Sequence, residues 1–320
     1  MGQGVFIRST LHAIGTLLFV ILFNFFLFRV VPGDPVTRIA RSEGLTLEQR
    51  EALAVEYGLD KPVLAQLPGY IASTLTLDFG SSFGSGRPVT EEIGERIGKT
   101  ALLVGVSTIG SVAIGLVLGV YGAWKRGSAL DTGSMTVSLL LYSVPEGWLS
   151  LVLLMVFGAM LGIFPIGGYQ STSNLTGLAH LTDVLNHLVL PALALTLAYV
   201  GQYAIIMRSS LLDVMGEEYL DLARAKGLRE EHVLWRHAVP NAILPIFTLV
   251  FYSFGYIVGG AVVVESIFSW PGLGNLTYQA IASQDFPVLQ AAFLLTSASV
   301  ILFNLVADLL YGYLDPRVRR

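Results

Sequence analysis

LHAIGTLLFVILFNFFLFRVV, residues 11–31, decides the class of this chain. At 1.5 Å per residue, an α-helix of about 20 residues covers a hydrocarbon core of roughly 30 Å, so the run is long enough to cross a bilayer. A cleaved signal peptide is the competing reading. The run exceeds the usual apolar region of such a leader and no A-x-A-like site follows it, so a retained anchor is expected. Composition agrees with a membrane setting. Of 320 residues, 53% are hydrophobic and 13% charged, with a mean hydropathy of +0.67. That is too little polar material to cover a soluble globule of this length. The absence of cysteine excludes disulfides, thiolate metal sites and cysteine nucleophiles.

Working outward, apolar runs recur at about residues 101–124, 135–164, 188–207, 242–264 and 288–310, which with the first make six spans of an all-α membrane protein. Pro145 and Gly147 fall inside the third, where a kink, or a surface-lying start over residues 131–141, is expected. Residues 32–98, opening on Pro32-Gly33-Asp34-Pro35, hold no segment long enough to cross and read as an extramembrane insert. Within it Thr46-Leu47-Glu48-Gln49 has capping-box spacing and predicts a short helix ending at Tyr57 and Gly58. The chain therefore divides into residues 1–31 with the first span, the insert 32–98, a membrane core 99–313 containing a long loop 210–240, and a tail 314–320.

The net charge of −4 is less informative than where the charges lie. Placing the N-terminus inside collects Arg8, Lys125, Arg126, Arg208, Arg224, Lys226, Arg229, Arg236, Arg317, Arg319 and Arg320 on one side, and leaves loops 165–187 and 266–287 without lysine or arginine. Short loops rich in basic residues stay in the cytoplasm. Both termini are thus expected in the cytoplasm and the insert outside.

Catalytic motifs are wanting. Residues 93–100, I-G-E-R-I-G-K-T, resemble a phosphate-cradling loop only superficially, because three residues rather than four separate Gly94 from Gly98-Lys99 and no strand precedes them. Lys99 is better read as reaching from a helix start toward headgroups. There is no H-E-x-x-H or G-x-S-x-G, and His12, His187, His232 and His237 lack metal-ligand spacing. Three acidic residues lie in or beside spans: Glu146, Glu265 and Asp308. A charge at mid-membrane costs roughly 2.5 to 3.5 kcal/mol on insertion scales, which makes each a candidate for pathway or gating. Glu265 and Asp308 fall near span ends, where reaching headgroups or capping a neighbouring helix is the plainer role. Glu146 follows the Pro145 break and reads as lining a pathway.

The loop between the fourth and fifth spans carries the most specific pattern. Glu217-Glu218-Tyr219-Leu220-Asp221-Leu222-Ala223-Arg224-Ala225-Lys226-Gly227 reads as a short helix stopped at Gly227, followed by a second helix to Val239-Pro240. Ala223 and Ala225 are small enough for a partner backbone to approach, and Asp221, Arg224 and Lys226 offer directional charge contacts, so the element suits docking into a groove. A solvated amphipathic connector is the alternative.

Asp221 to Pro240 resembles the E-A-A-x(3)-G-x(9)-I-x-L-P motif of ABC importer permeases, with Asp221 at the glutamate, Ala223 at the second alanine, Gly227 at the glycine and Val239-Pro240 at the closing pair. Leu222 and His237 depart from it. R-A-K-G-L from Arg224, W-R-H-A from Trp235, N-A-I-L-P from Asn241, G-G-A-V-V-V-E-S-I-F-S-W-P-G-L-G from Gly259, D-P-R-V-R from Asp315, P-G-D-P from Pro32 and H-L-V-L-P-A from His187 resemble the B-type permease of the dipeptide, oligopeptide and nickel importer group. That resemblance implies a type I ABC importer permease fold in a bacterial inner membrane. It implies a homologous second permease, one or two cytoplasmic ATPases that use ATP and Mg, and an external substrate-binding lipoprotein. It implies no cofactor bound by this chain, no catalytic residue and no nucleic acid. Coupling to the ATPase would fall to Asp221, Ala223, Arg224, Ala225, Lys226, Gly227, Val239 and Pro240. Peptides are the favoured cargo, nickel chelates and other small solutes the alternatives. A proton-coupled carrier, with Glu146, Glu265 and Asp308 as its relay, is the competing class.

Overall fold

The computed structural model describes residues 3–30, 62–171, 175–255 and 261–314, and among these the chain is built from helices without a β-strand. The predicted helix ending at Tyr57 lies outside the described residues. Helix α1 (Gln3–Val30) crosses first, and α2 (Val63–Leu75) packs beside it. Asn24 of α1 donates to Gln290 O at 3.0 Å and to the Tyr70 hydroxyl at 3.2 Å, tying the first span to the last and to α2.

Helix α3 (Val89–Trp124) begins well before the apolar run at residue 101. Val89 and Ile93, one turn apart, are buried against Leu273, Leu276 and Val288, so an amphipathic stripe carries the helix beyond the hydrocarbon. Glu91 and Glu92 in its first turn suit the positive end of the helix dipole. The third span is two pieces, α4 (Ala129–Ser143) and α5 (Glu146–Leu153, continuing as a wider turn over Leu154–Met160), bent by 96°. The cause is local. Pro145 disfavours helical backbone in the residue before it, and Val144 is extended, with φ −85° and ψ 126°.

Helix α6 (Gly177–Met215) is the longest. The following loop folds as α7 (Glu218–Ala225) and α8 (Glu230–Ala242), and α9 (Leu244–Gly255) continues from α8 after a 44° bend. A wider turn over Leu234–Ala238 ends two residues before Pro240, whose ring has no N–H to give a regular ladder. Short helices α10 (Val262–Ile267) and α11 (Leu273–Ser283) lead into α12 (Phe286–Leu314). Four segments can each cross a membrane singly, Phe6–Phe28, Val89–Trp124, Gly177–Met215 and Phe286–Leu310, and with α4–α5 and α8–α9 as bent spans the total is six.

The centre of the bundle is the α3–α6 pair. A Cβ on Gly119 would lie 2.6 Å from the Met207 Cβ and 2.7 Å from Ala204 O, and one on Gly115 would meet Val200 O at 3.0 Å. Only glycine allows this approach. Between membrane helices, where lipid is as apolar as leucine, close van der Waals packing of small residues replaces the hydrophobic drive. Ser111 adds an interhelical bond, donating to Thr196 O at 3.2 Å as well as to Ser107 O at 2.7 Å. At one end of this pair, Val120, Ala123, Met207 and Leu211 share a core with Leu220 and Ala223 of α7 and Val233 and Leu234 of α8.

Candidate functional site

A cavity of about 400 Å³ opens between α3, α5, α6, α9 and α10. Each helix contributes a different chemistry. Ser107, Thr108 and Ser111 line it from α3, Tyr199, Gln202 and Tyr203 from α6, and Tyr252 and Ser253 from α9, with Val104, Leu195 and Leu249 between them. The Tyr203 hydroxyl and Ser253 Oγ are 2.9 Å apart, joining α6 to α9 at the wall. Among the described residues Glu146 is the only charged side chain in the lining, and its Oε2 accepts from the Tyr199 hydroxyl at 3.2 Å. The Pro145 break delivers it there, because the chain turns into α5 at that residue.

The other two acidic candidates lie elsewhere. Glu265 is fully buried and absent from the cavity wall. Its Oε1 accepts from Thr100 Oγ1 at 2.8 Å and its Oε2 from the Asn275 N–H at 3.0 Å, so it supplies the missing acceptor at the start of α11. Thr100 Oγ1 in turn accepts from the Leu273 N–H at 2.8 Å, and Trp270 Nε1 donates to Lys99 O at 3.1 Å. Asp308 is exposed on α12. Three carboxylates in three separate settings make no relay, which leaves the proton-coupled alternative without support. Among the described residues no group of three or more metal-ligating side chains comes together, although the His232 and His237 rings pack edge to face at 5.8 Å.

The loop after α6 folds into an elbow. Gly227 has φ +79°, its N–H donates to Arg224 O at 2.8 Å and the Leu228 N–H to Ala223 O at 3.4 Å, the paired bonds of a Schellman helix stop. Arg224 braces the corner, donating from Nη1 to Asp221 Oδ1 at 2.8 Å and from Nε to Glu230 Oε1 at 3.1 Å. Leu220 and Ala223 face inward, so the small size of Ala223 serves packing within the bundle rather than approach from outside. Ala225, Lys226, Gly227 and Pro240 are exposed, and Val239 is half-buried against the core. Leu222 and Trp235, 59% and 45% exposed, add apolar surface to the outer face.

Sequence reading missed two constellations. One is the Thr100–Glu265–Asn275 clamp, whose members are far apart in the chain. The other joins Asp131 and Arg208. Its only local signal is Ser128-Ala129-Leu130-Asp131, a capping-box spacing in which Ser128 Oγ accepts from the Asp131 N–H at 3.3 Å, and which marks the start of α4 ahead of the apolar run.

A six-span bundle around an internal hydroxyl-lined cavity, with the loop between its fourth and fifth spans folded into an elbow, defines a membrane transport subunit. Comparison with known proteins narrows the class: residues 115–320 match the family described as binding-protein-dependent transport system inner membrane component, and the chain belongs to that family. It is 37% identical over 319 residues to a putative peptide transport system permease protein of Brucella melitensis, covering 100% of this chain and 99% of that one. It is 36% identical to the oligopeptide transport system permease protein AppB of Bacillus subtilis, covering 98% of each. It is also 36% identical to the dipeptide transport system permease protein DppB of Escherichia coli, covering 96% of each. Among solved structures, the inward-facing MetNI methionine ABC transporter superposes with a TM-score of 0.56 at 17% identity, over 70% of this chain and 96% of that one. The fold is that of a type I ABC importer permease. The chain is the transport component, without an ATPase of its own.

Proposed function

We propose that this subunit forms one half of a peptide translocation pathway in a bacterial inner membrane. A homologous permease would supply the other half, cytoplasmic ATPases using ATP and Mg the drive, and an external binding lipoprotein the cargo. The observation that carries the peptide reading is likeness over nearly the whole length to relatives named for peptide transport. In this reading Glu146 lines the pathway and no cofactor binds the chain itself.

The elbow α7–Gly227–α8 is the coupling element, docking on an ATPase through Lys226, Ala225 and the exposed Leu222 and Trp235. Its buried face supports the role: Leu220, Ala223, Val233 and Leu234 are packed with the ends of α3 and α6, so displacement of the elbow is transmitted to both. ATP shifts an inward-facing and outward-facing equilibrium only if the docked elbow contacts the ATPase differently in the two states. Orientation follows the charge pattern, with both termini cytoplasmic and residues 32–98 outside. Lys125 and Arg126 follow α3 at the same end as the elbow's basic residues, which supports a single cytoplasmic face.

Reconstitution tests the whole reading. Proteoliposomes holding both permeases and the ATPases should take up a labelled dipeptide only with ATP on the ATPase side and the binding protein opposite. Accumulation by this polypeptide alone, or uptake that collapses with an uncoupler at constant ATP, would sink it.

A further inference from the structure

We infer that Glu146 recognises a positively charged amine on the passing solute, which for a peptide is its free amino terminus; this rests on the reading of the cavity as part of the translocation pathway. Glu146 puts one negative charge on a wall that, among the described residues, has no lysine, arginine or histidine. Its Oε2 already accepts from Tyr199, while its Oε1 accepts no hydrogen bond from the described residues. Glu146 is half-buried, and a charge-assisted partner completes its hydrogen bonding. The rest of the polar lining is neutral. Gln202 brings a neutral amide oxygen to the same space, which suits an ammonium with its three donors. A divalent cation is a poor match, because magnesium or calcium wants several hard oxygen ligands and prefers more than one carboxylate. A peptide's own carboxylate finds no basic partner among the described residues of this wall, so the site distinguishes the two ends of a zwitterion.

The position owes its setting to the fold. Val144 is extended ahead of Pro145, and the 96° bend turns the start of α5 toward α6. A straight third span would carry residue 146 past the cavity along its own axis.

Direct binding to the assembled transporter, in nanodiscs without its binding protein, tests the inference. The probes are radiolabelled alanyl-alanine, its N-acetylated form as competitor, and radiolabelled 1,4-diaminobutane. Wild type should bind alanyl-alanine at least about tenfold more tightly than the acetylated peptide, the usual order for a charge-assisted hydrogen bond. Glu146→Gln, which keeps an acceptor for Tyr199, should lose that preference while binding the acetylated peptide as wild type does. Glu146→Asp should retain a preference. Equal binding of free and acetylated peptide by wild type overturns the inference, as does an equal loss of both in Glu146→Gln or the absence of saturable binding of either labelled probe. Glu146-dependent binding of the diamine without any peptide binding supports the amine site and removes the peptide reading.

Discussion

Arg208 holds Asp131 through two parallel hydrogen bonds, Nε to Oδ1 at 2.7 Å and Nη2 to Oδ2 at 2.9 Å, and the Gly127 N–H donates to Oδ2 at 2.9 Å. The three groups fasten the turn between α3 and α4 to the far end of α6, beside the elbow. Asp131 is nearly buried. Removing one member of such a pair leaves the other desolvated and unmatched, at about 1–3 kcal/mol. Asp131→Asn and Arg208→Gln should therefore each lower the thermal unfolding temperature of the purified complex. The double variant should lose less than the two single losses combined. Unfolding of Asp131→Asn indistinguishable from wild type would show that the pair bears no structural role.

Gly227→Val forces a β-branched residue into φ +79°, where only glycine sits without strain. The Schellman stop should loosen and the angle between α7 and α8 change. Uptake should fall to background while the binding protein still docks on the outer face, as read by co-sedimentation with proteoliposomes. Retained uptake with normal ATP dependence would mean that the elbow is not the coupling element.

Gly119→Leu places a side chain where the Met207 Cβ and Ala204 O already stand at 2.6 and 2.7 Å from a bare Cβ, so α3 and α6 must separate. Overpacking of this kind costs about 1–3 kcal/mol or more. Gly105→Ala, on the same helix with nothing within 4 Å of its Cβ, is the control. Detergent-solubilised Gly119→Leu should aggregate or melt early while Gly105→Ala behaves as wild type. Equal behaviour of the two contradicts the close α3–α6 packing.

Glu265→Ala removes the acceptor that Thr100 Oγ1 and the Asn275 N–H both use. Two buried donors are then left unmet, each at roughly 1–3 kcal/mol. Hydrogen exchange at the first turn of α11 should accelerate and the complex should melt earlier. Conversely, a variant with wild-type melting and exchange but no transport would move Glu265 from the frame of the bundle to the pathway.

Residues 11–31 and the later apolar runs determined by themselves that the chain crosses a membrane as helices, because a bilayer core demands a fixed length of apolar residues with every backbone group paired internally. The stop at Gly227 was legible for a similar reason: a left-handed residue ending a helix is a local property of the chain. The break at Pro145 was too, since proline restricts the residue before it. Helix α3 outran its apolar run because Val89 and Ile93 find their burial against residues nearly two hundred positions away. The plainer roles of the three acidic residues were legible from their places in the spans, but only the tertiary structure showed what each faces: a cavity for Glu146, the start of α11 for Glu265 and the exposed side of α12 for Asp308. It alone joined Asp131 to Arg208 and turned Ala223 inward. A charged side chain is defined by what faces it, and in a bundle of long helices the facing group comes from another span, which no local pattern in the chain records.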